Sequence, residues 1–128
     1  MTDGQKSSST KMEASEIIRR NVAIAKYMMW KEATKENFRG AKVPVFTLET
    51  EFAPITLKEA DFSFHNDWSW LMPVVEKICD TRDTAYHSGK SFKGGWFARF
   101  GMDNNSYGDT PIEAAWMAAS DYILSREK

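Results

Sequence analysis

The chain has 128 residues and a formal net charge of −1, from 17 Lys and Arg against 18 Asp and Glu. Apolar residues make up 42% and aromatics 13%, with five Trp. These values exclude a long disordered polymer, which would not carry so many large apolar side chains. They also exclude a uniformly basic nucleic-acid binder, although a local basic face stays open. A chain of this length buries about two-thirds of its extended surface, enough for one core.

Cys79 is the single cysteine, so no disulfide forms within the chain and a Cys-based zinc site is not expected. No apolar run reaches the length of about 18 residues that a membrane span needs, so no membrane partner is expected. The opening residues, MTDGQKSSSTK, hold no apolar stretch of the signal-peptide kind. A cytoplasmic, reducing compartment is the simplest expectation.

Residues 1–10 are small and polar and read as a disordered tail, leaving 11–128 as a single domain. Thr10 to Glu13 fits a capping box. Ile18, Val22, Ala25 and Met29 then recur at helical spacing, widened by Ile17, Ile24 and Met28. The first helix is expected over about residues 12–35, ending at or before Gly40. From Val43 to Phe64 β-formers are interrupted by Pro44 and Pro54. Proline cannot donate to a ladder, so edge strands or an extended loop are expected there, not central strands.

Asn66 or Asp67 can cap a second helix, expected from Asp67 to near Asp80. Its apolar stripe reads Trp68, Leu71, Met72, Val75 and Ile78, with Trp70 off the stripe and Pro73 a source of kinking. Residues 84–87 and 92–100 read as two strands of a hairpin, punctuated by Gly89, Gly94 and Gly95. Asp103 to Ser106 with Gly108 reads as a turn. Thr110-Pro111-Ile112-Glu113 is a strong helix start, and Ile112, Ala115, Trp116, Ala119 and Ile123 line one face of a final helix. The expected fold is α+β: an N-terminal helix, an irregular edge-strand segment, a helix, a β-hairpin and a C-terminal helix, with helices packed on a small antiparallel sheet.

Three segments carry a resemblance: NVAIAKYMMW at 21–30, FHNDWSWLMPVVEKI at 64–78 and TPIEAAWMAASDYI at 110–123. Together they resemble small uncharacterised proteins of phages, prophages and gut Bacteroidetes, and the later two-thirds is similar to a phage α/β/α sandwich type of domain. The middle motif is the most specific. The chain departs from the group at Asp67-Trp68-Ser69-Trp70, where Ser more often precedes the first Trp and Asp separates the two, and at Met29, where Gly is common. The resemblance implies a fold and a mobile-element origin. It carries no catalytic residue, no cofactor and no metal ligand.

The residues themselves point the same way. His65, Asp67 and His87 lack a metal-ligand spacing, so no metal is expected. No nucleophile motif accompanies the two histidines, and Ser88-Gly89-Lys90-Ser91 lacks the upstream Gly and the following helix of a phosphate loop. The net charge hides a division. Residues 11–42 hold eight basic and four acidic side chains, and residues 49–83 hold three basic and eight acidic ones. The expectation is a non-enzymatic accessory or interaction protein that binds a protein partner or itself. The alternative is a nucleic-acid-binding module using the hairpin face and the basic first helix, because basic residues interleaved with aromatics can hold single strands. The expected interaction surface is Trp30, Trp70, Lys90, Lys93, Trp96 and Arg99.

Overall fold

A computed structural model describes residues 13–36, 39–92 and 94–126. The elements run α1 (Ala14–Tyr27), β1 (Lys31–Glu36), β2 (Lys42–Leu48), β3 (Ile55–Lys58), a 3-10 turn (Glu59–Asp61), α2 (Trp68–Arg82), β4 (Tyr86–Lys90), β5 (Trp96–Phe100), β6 (Ser106–Gly108) and α3 (Pro111–Arg126). They form two three-stranded antiparallel sheets, β1-β2-β3 and β4-β5-β6. The class is α+β, with helices packed on sheets. Among the described residues no helix is long and apolar enough to cross a membrane.

The helix α3 occupies the middle. It packs on β4, β5 and β6 to one side and on α1 and α2 to the other. Its alanines permit this, because Ala114, Ala115, Ala118 and Ala119 let backbones approach from both sides while Trp116, Tyr122 and Ile123 fill what remains. One buried face is the one expected from spacing. The second, Ala114, Ala118 and Tyr122, was not. Thr110 caps the helix as expected, its hydroxyl accepting from the Glu113 N–H at 3.1 Å. The Glu113 carboxylate reaches one residue past the cap and takes the Asp109 N–H at 2.7 Å.

The first helix is shorter than expected. It ends at Tyr27, where the Trp30 N–H bonds the Ala25 carbonyl at 3.0 Å and the Met29 N–H bonds that of Lys26 at 3.1 Å. This paired closure requires a left-handed residue, and Met29 supplies it with φ 75°. The following KEATKE stretch is rich in helix formers, yet it forms β1 because it pairs in register with β2, from Lys31↔Thr47 to Glu36↔Lys42. The expected Thr10 cap lies outside the described residues.

The 43–64 segment holds a central strand after all. Pro44 sits in β2, opposite Thr34, but one residue beyond the last β2–β3 pair, Val45↔Lys58. At that point β2 has a neighbour on one side only, so the missing donor costs no second ladder. Phe46 is fully buried and ties this sheet to the body through Phe62, with ring centroids 5.3 Å apart. Phe62 also meets Trp30 at 5.2 Å and Phe64 at 5.6 Å.

Asp67 caps α2, accepting from the Ser69 N–H at 2.9 Å. The helix runs through Pro73 to Arg82, two residues past the expected end. Its buried side chains are Leu71, Val74, Val75 and Ile78. Trp68 and Met72, expected in the core, are 40% and 37% exposed. In the second sheet β4 is shifted toward the turn, ending at Lys90 instead of 87, β5 starts at Trp96 instead of 92, and 106–108, expected within a turn, form the third strand β6.

Two substitutions test this arrangement. Met29→Gly relieves the left-handed strain at a side chain that is 70% exposed; stability should rise by about 0.5–1 kcal/mol in denaturant unfolding. A Cβ at Gly108 would stand 2.6 Å from the Ala114 nitrogen and 2.8 Å from the Glu113 side chain. Gly108→Ala should therefore lift β6 from α3 and lower stability by roughly 1–3 kcal/mol.

Candidate functional site

Side chains alternate across a strand, so the inward residues of β5 identify its outward ones. Ala98 and Phe100 are buried against the body. Phe97 and Arg99 therefore face outward. Across the ladder Phe97 stands opposite Gly89 on β4 and Tyr107 on β6, and Arg99 stands opposite His87. Gly89 lets the Phe97 ring lie along the sheet, since a Cβ there would meet that ring at 3.1 Å.

The polar groups of this face are held in place. The Arg99 Nε donates to the Gly101 carbonyl at 3.0 Å and an Nη donates to the Asn105 side-chain oxygen at 3.2 Å. The Asn105 amide donates onward to the Tyr107 hydroxyl at 3.4 Å. The guanidinium lies 5.9 Å from the Phe97 centroid, a cation–π arrangement. Tyr107 is 56% exposed and Phe92 is fully exposed. A cleft of about 180 Å³ runs between Lys90, Phe92, Phe97 and Tyr107.

The expected surface residues divide. Arg99 lies on this outer face. Trp96 faces the other way, half-buried, with the exposed Lys90 ammonium 5.5 Å from its ring. Lys93 lies outside the described residues. Trp30 is a core residue, and Trp70 is half-buried, packed edge-on against Phe64 at 5.2 Å. These two tryptophans meet elsewhere, around a groove of about 270 Å³ with Met28, Leu48 and Pro73. Tyr107 and Asn105 were missed because they fall in the segment read as a turn.

The basic first helix is partly neutralised by its own neighbours. Glu16 takes Arg19 at 2.5 Å and Arg20 at 2.9 Å, Arg20 also bonds Asp121 at 2.7 Å, and Lys26 pairs with Glu32 at 3.1 Å. The two arginines hold the Glu16 carboxyl below its ordinary range, the Arg19 hydrogen bond first. A second cleft, of about 390 Å³, lies between the β5–β6 loop and α3. Its carboxylates are engaged: Asp103 by Arg82 at 2.5 Å, and Asp121 by Arg20 and the Ser106 hydroxyl.

The remaining chemistry-bearing residues have structural partners. Asp67 caps α2, and its bonds with Ser69 keep its carboxyl below the usual range. Cys79 is half-buried, and burial, with Asp80 and Glu76 nearby, pushes its thiol up, away from reactivity. Among the described residues no group of three or more His, Cys, Asp or Glu is placed to hold a metal.

His65 belongs to a buried network centred on Asn21. The Trp116 indole can only donate, and its Nε1 lies 2.8 Å from the Asn21 side-chain oxygen. The Asn21 amide nitrogen must then face the other way, donating to the Phe62 carbonyl at 3.3 Å and to His65 Nδ1 at 2.9 Å. So His65 is neutral, with its proton on Nε2. Burial lowers its pKa below the ordinary imidazole value of 6.5. Protonation would set an N–H against the Asn21 amide.

The sign follows from linkage. A folded-state pKa below the unfolded one means the unfolded chain takes up the proton first as pH falls. The stability that neutral His65 contributes is complete above its ordinary pKa and is lost as pH drops through that value toward the folded pKa. His65→Asn keeps an acceptor facing Asn21 without a titrating ring. Denaturation midpoints measured between about pH 7.5 and about pH 5 should fall more steeply for the parent chain than for this variant. Equal slopes would remove His65 from the account.

Compared with protein-family models, with curated proteins and with solved structures, the chain matches none.

Proposed function

We propose that this protein is a non-enzymatic binding module that holds single-stranded nucleic acid on the outer face of its second sheet. The supporting observation is the outward pair of aromatic rings, Phe97 and Tyr107, directly opposite one another on β5 and β6, with Arg99 fixed beside them. Unpaired bases stack on such rings at about 1–3 kcal/mol per base, with little preference for sequence. Arg99 adds a cation that meets a phosphate or stacks on a base. The exposed Phe92 extends the surface along the hairpin, whereas the Lys90 ammonium lies on the Trp96 side of the sheet.

The first helix plays a smaller part in this reading than its charge suggests, because Arg20 and Lys26 are engaged in ion pairs. The non-enzymatic part is supported by the engagement of Asp103 and Asp121 in the polar cleft. The resemblance to small phage-type proteins supports a mobile-element setting and a cytoplasmic location.

Fluorescence anisotropy with a labelled oligothymidine of about 15 nucleotides tests the proposal. Affinity should fall linearly with the logarithm of salt concentration, by about 0.7 in slope per phosphate neutralised. Tyr107→Ala should weaken binding by about fivefold to a hundredfold, and Arg99→Ala should also flatten the salt slope by roughly one phosphate. An absence of binding at low salt rejects the reading in favour of a protein partner.

A further inference from the structure

The Asn21 network has a second consequence. Because Asn21 takes His65 Nδ1, the free donor of the ring is Nε2–H, which has no partner among the described residues. His65 lines a cavity of about 300 Å³ whose apolar walls are Ile17, Ile112 and Trp116. Glu113, Asn66 and Thr110 line the same cavity; Glu113 Oε1 holds the Asp109 N–H, and the Thr110 hydroxyl holds the Glu113 N–H. The cavity is at the small end for ligand sites, which run from about 300 to 1,000 Å³, so its occupant has the size of a single ring.

The polar groups restrict the chemistry further. A neutral imidazole N–H calls for an acceptor, and it gives an anion no charge to pair with. The Glu113 carboxylate repels anions and accepts from an N–H. The half-buried Ile17 and Ile112 give the open apolar walls, and the Trp116 indole, 2% exposed and held against Asn21, lies at the base. We infer that this cavity binds a small, neutral molecule bearing a carboxamide-type edge, whose oxygen accepts from His65 Nε2–H and whose N–H donates to Glu113. The site is independent of the nucleic-acid reading, which uses the outward face of the second sheet.

Benzamide is the probe, titrated into the isotope-labelled full chain at about pH 7.5 while the Trp116 indole N–H and the His65 ring are followed by NMR. Both signals should shift and saturate with a Kd on the order of 1 mM, reasonable for a ligand this small. Toluene lacks the polar edge and benzoate carries a charge; each should bind at least about tenfold more weakly. Ile17→Phe fills the cavity without touching a polar group and should abolish the response. Should that variant fail to fold, the comparison of the three probes on the unaltered chain decides. No saturation by about 20 mM benzamide, toluene binding equally well, or benzoate binding more tightly would overturn the assignment.

Discussion

The arrangement depends on one constraint, the burial of α3 from two sides. A helix that meets a sheet on one face and other helices on the other cannot carry large side chains all round, because interiors are close-packed. The sequence answers with Ala114, Ala115, Ala118 and Ala119, and places its bulk at Trp116, Tyr122 and Ile123. The second sheet can then approach closely enough that Gly108 touches the first turn of the helix. That contact sets the position of β6 and so of Tyr107.

Burial on both sides also forces polar groups inward, and each must find a partner. Trp116 carries an indole N–H into the core, and Asn21 is the group that satisfies it. Asn21 has hydrogen bonds left over for the Phe62 carbonyl and His65, so one amide joins α1, α3 and the segment leading into α2. Arg20, one residue earlier, reinforces the same junction through the Ser120 hydroxyl at 2.7 Å and Asp121. The proton position on His65 is therefore a result of packing a tryptophan, several steps removed from the histidine itself.

Local rules were readable where local chemistry decides. Thr110-Pro111-x-Glu113 starts α3, and Asp67 starts α2, because a cap is satisfied within one turn of chain. The same rules misled where a distant partner outweighed propensity. KEATKE became a strand on pairing with β2, and Trp68 was left half outside because nothing in its helical spacing tells which side of α2 is covered. Of the candidate surface, Arg99 was legible from the hairpin composition. Tyr107 was not, since three residues between turn signals carry too little pattern to show a strand.

The sequence by itself determined the class, the helix starts and the aromatic, basic character of the hairpin. These are properties of short windows, set by backbone sterics, capping and side-chain alternation. Only the tertiary structure decided that α3 would be covered twice, that Trp30 would enter the core while Phe97 and Tyr107 faced out, and that Asn21 would choose the tautomer of His65. Each of these joins residues far apart in the chain, and a contact of that kind leaves no periodic trace in sequence. It exists only when packing brings the partners together.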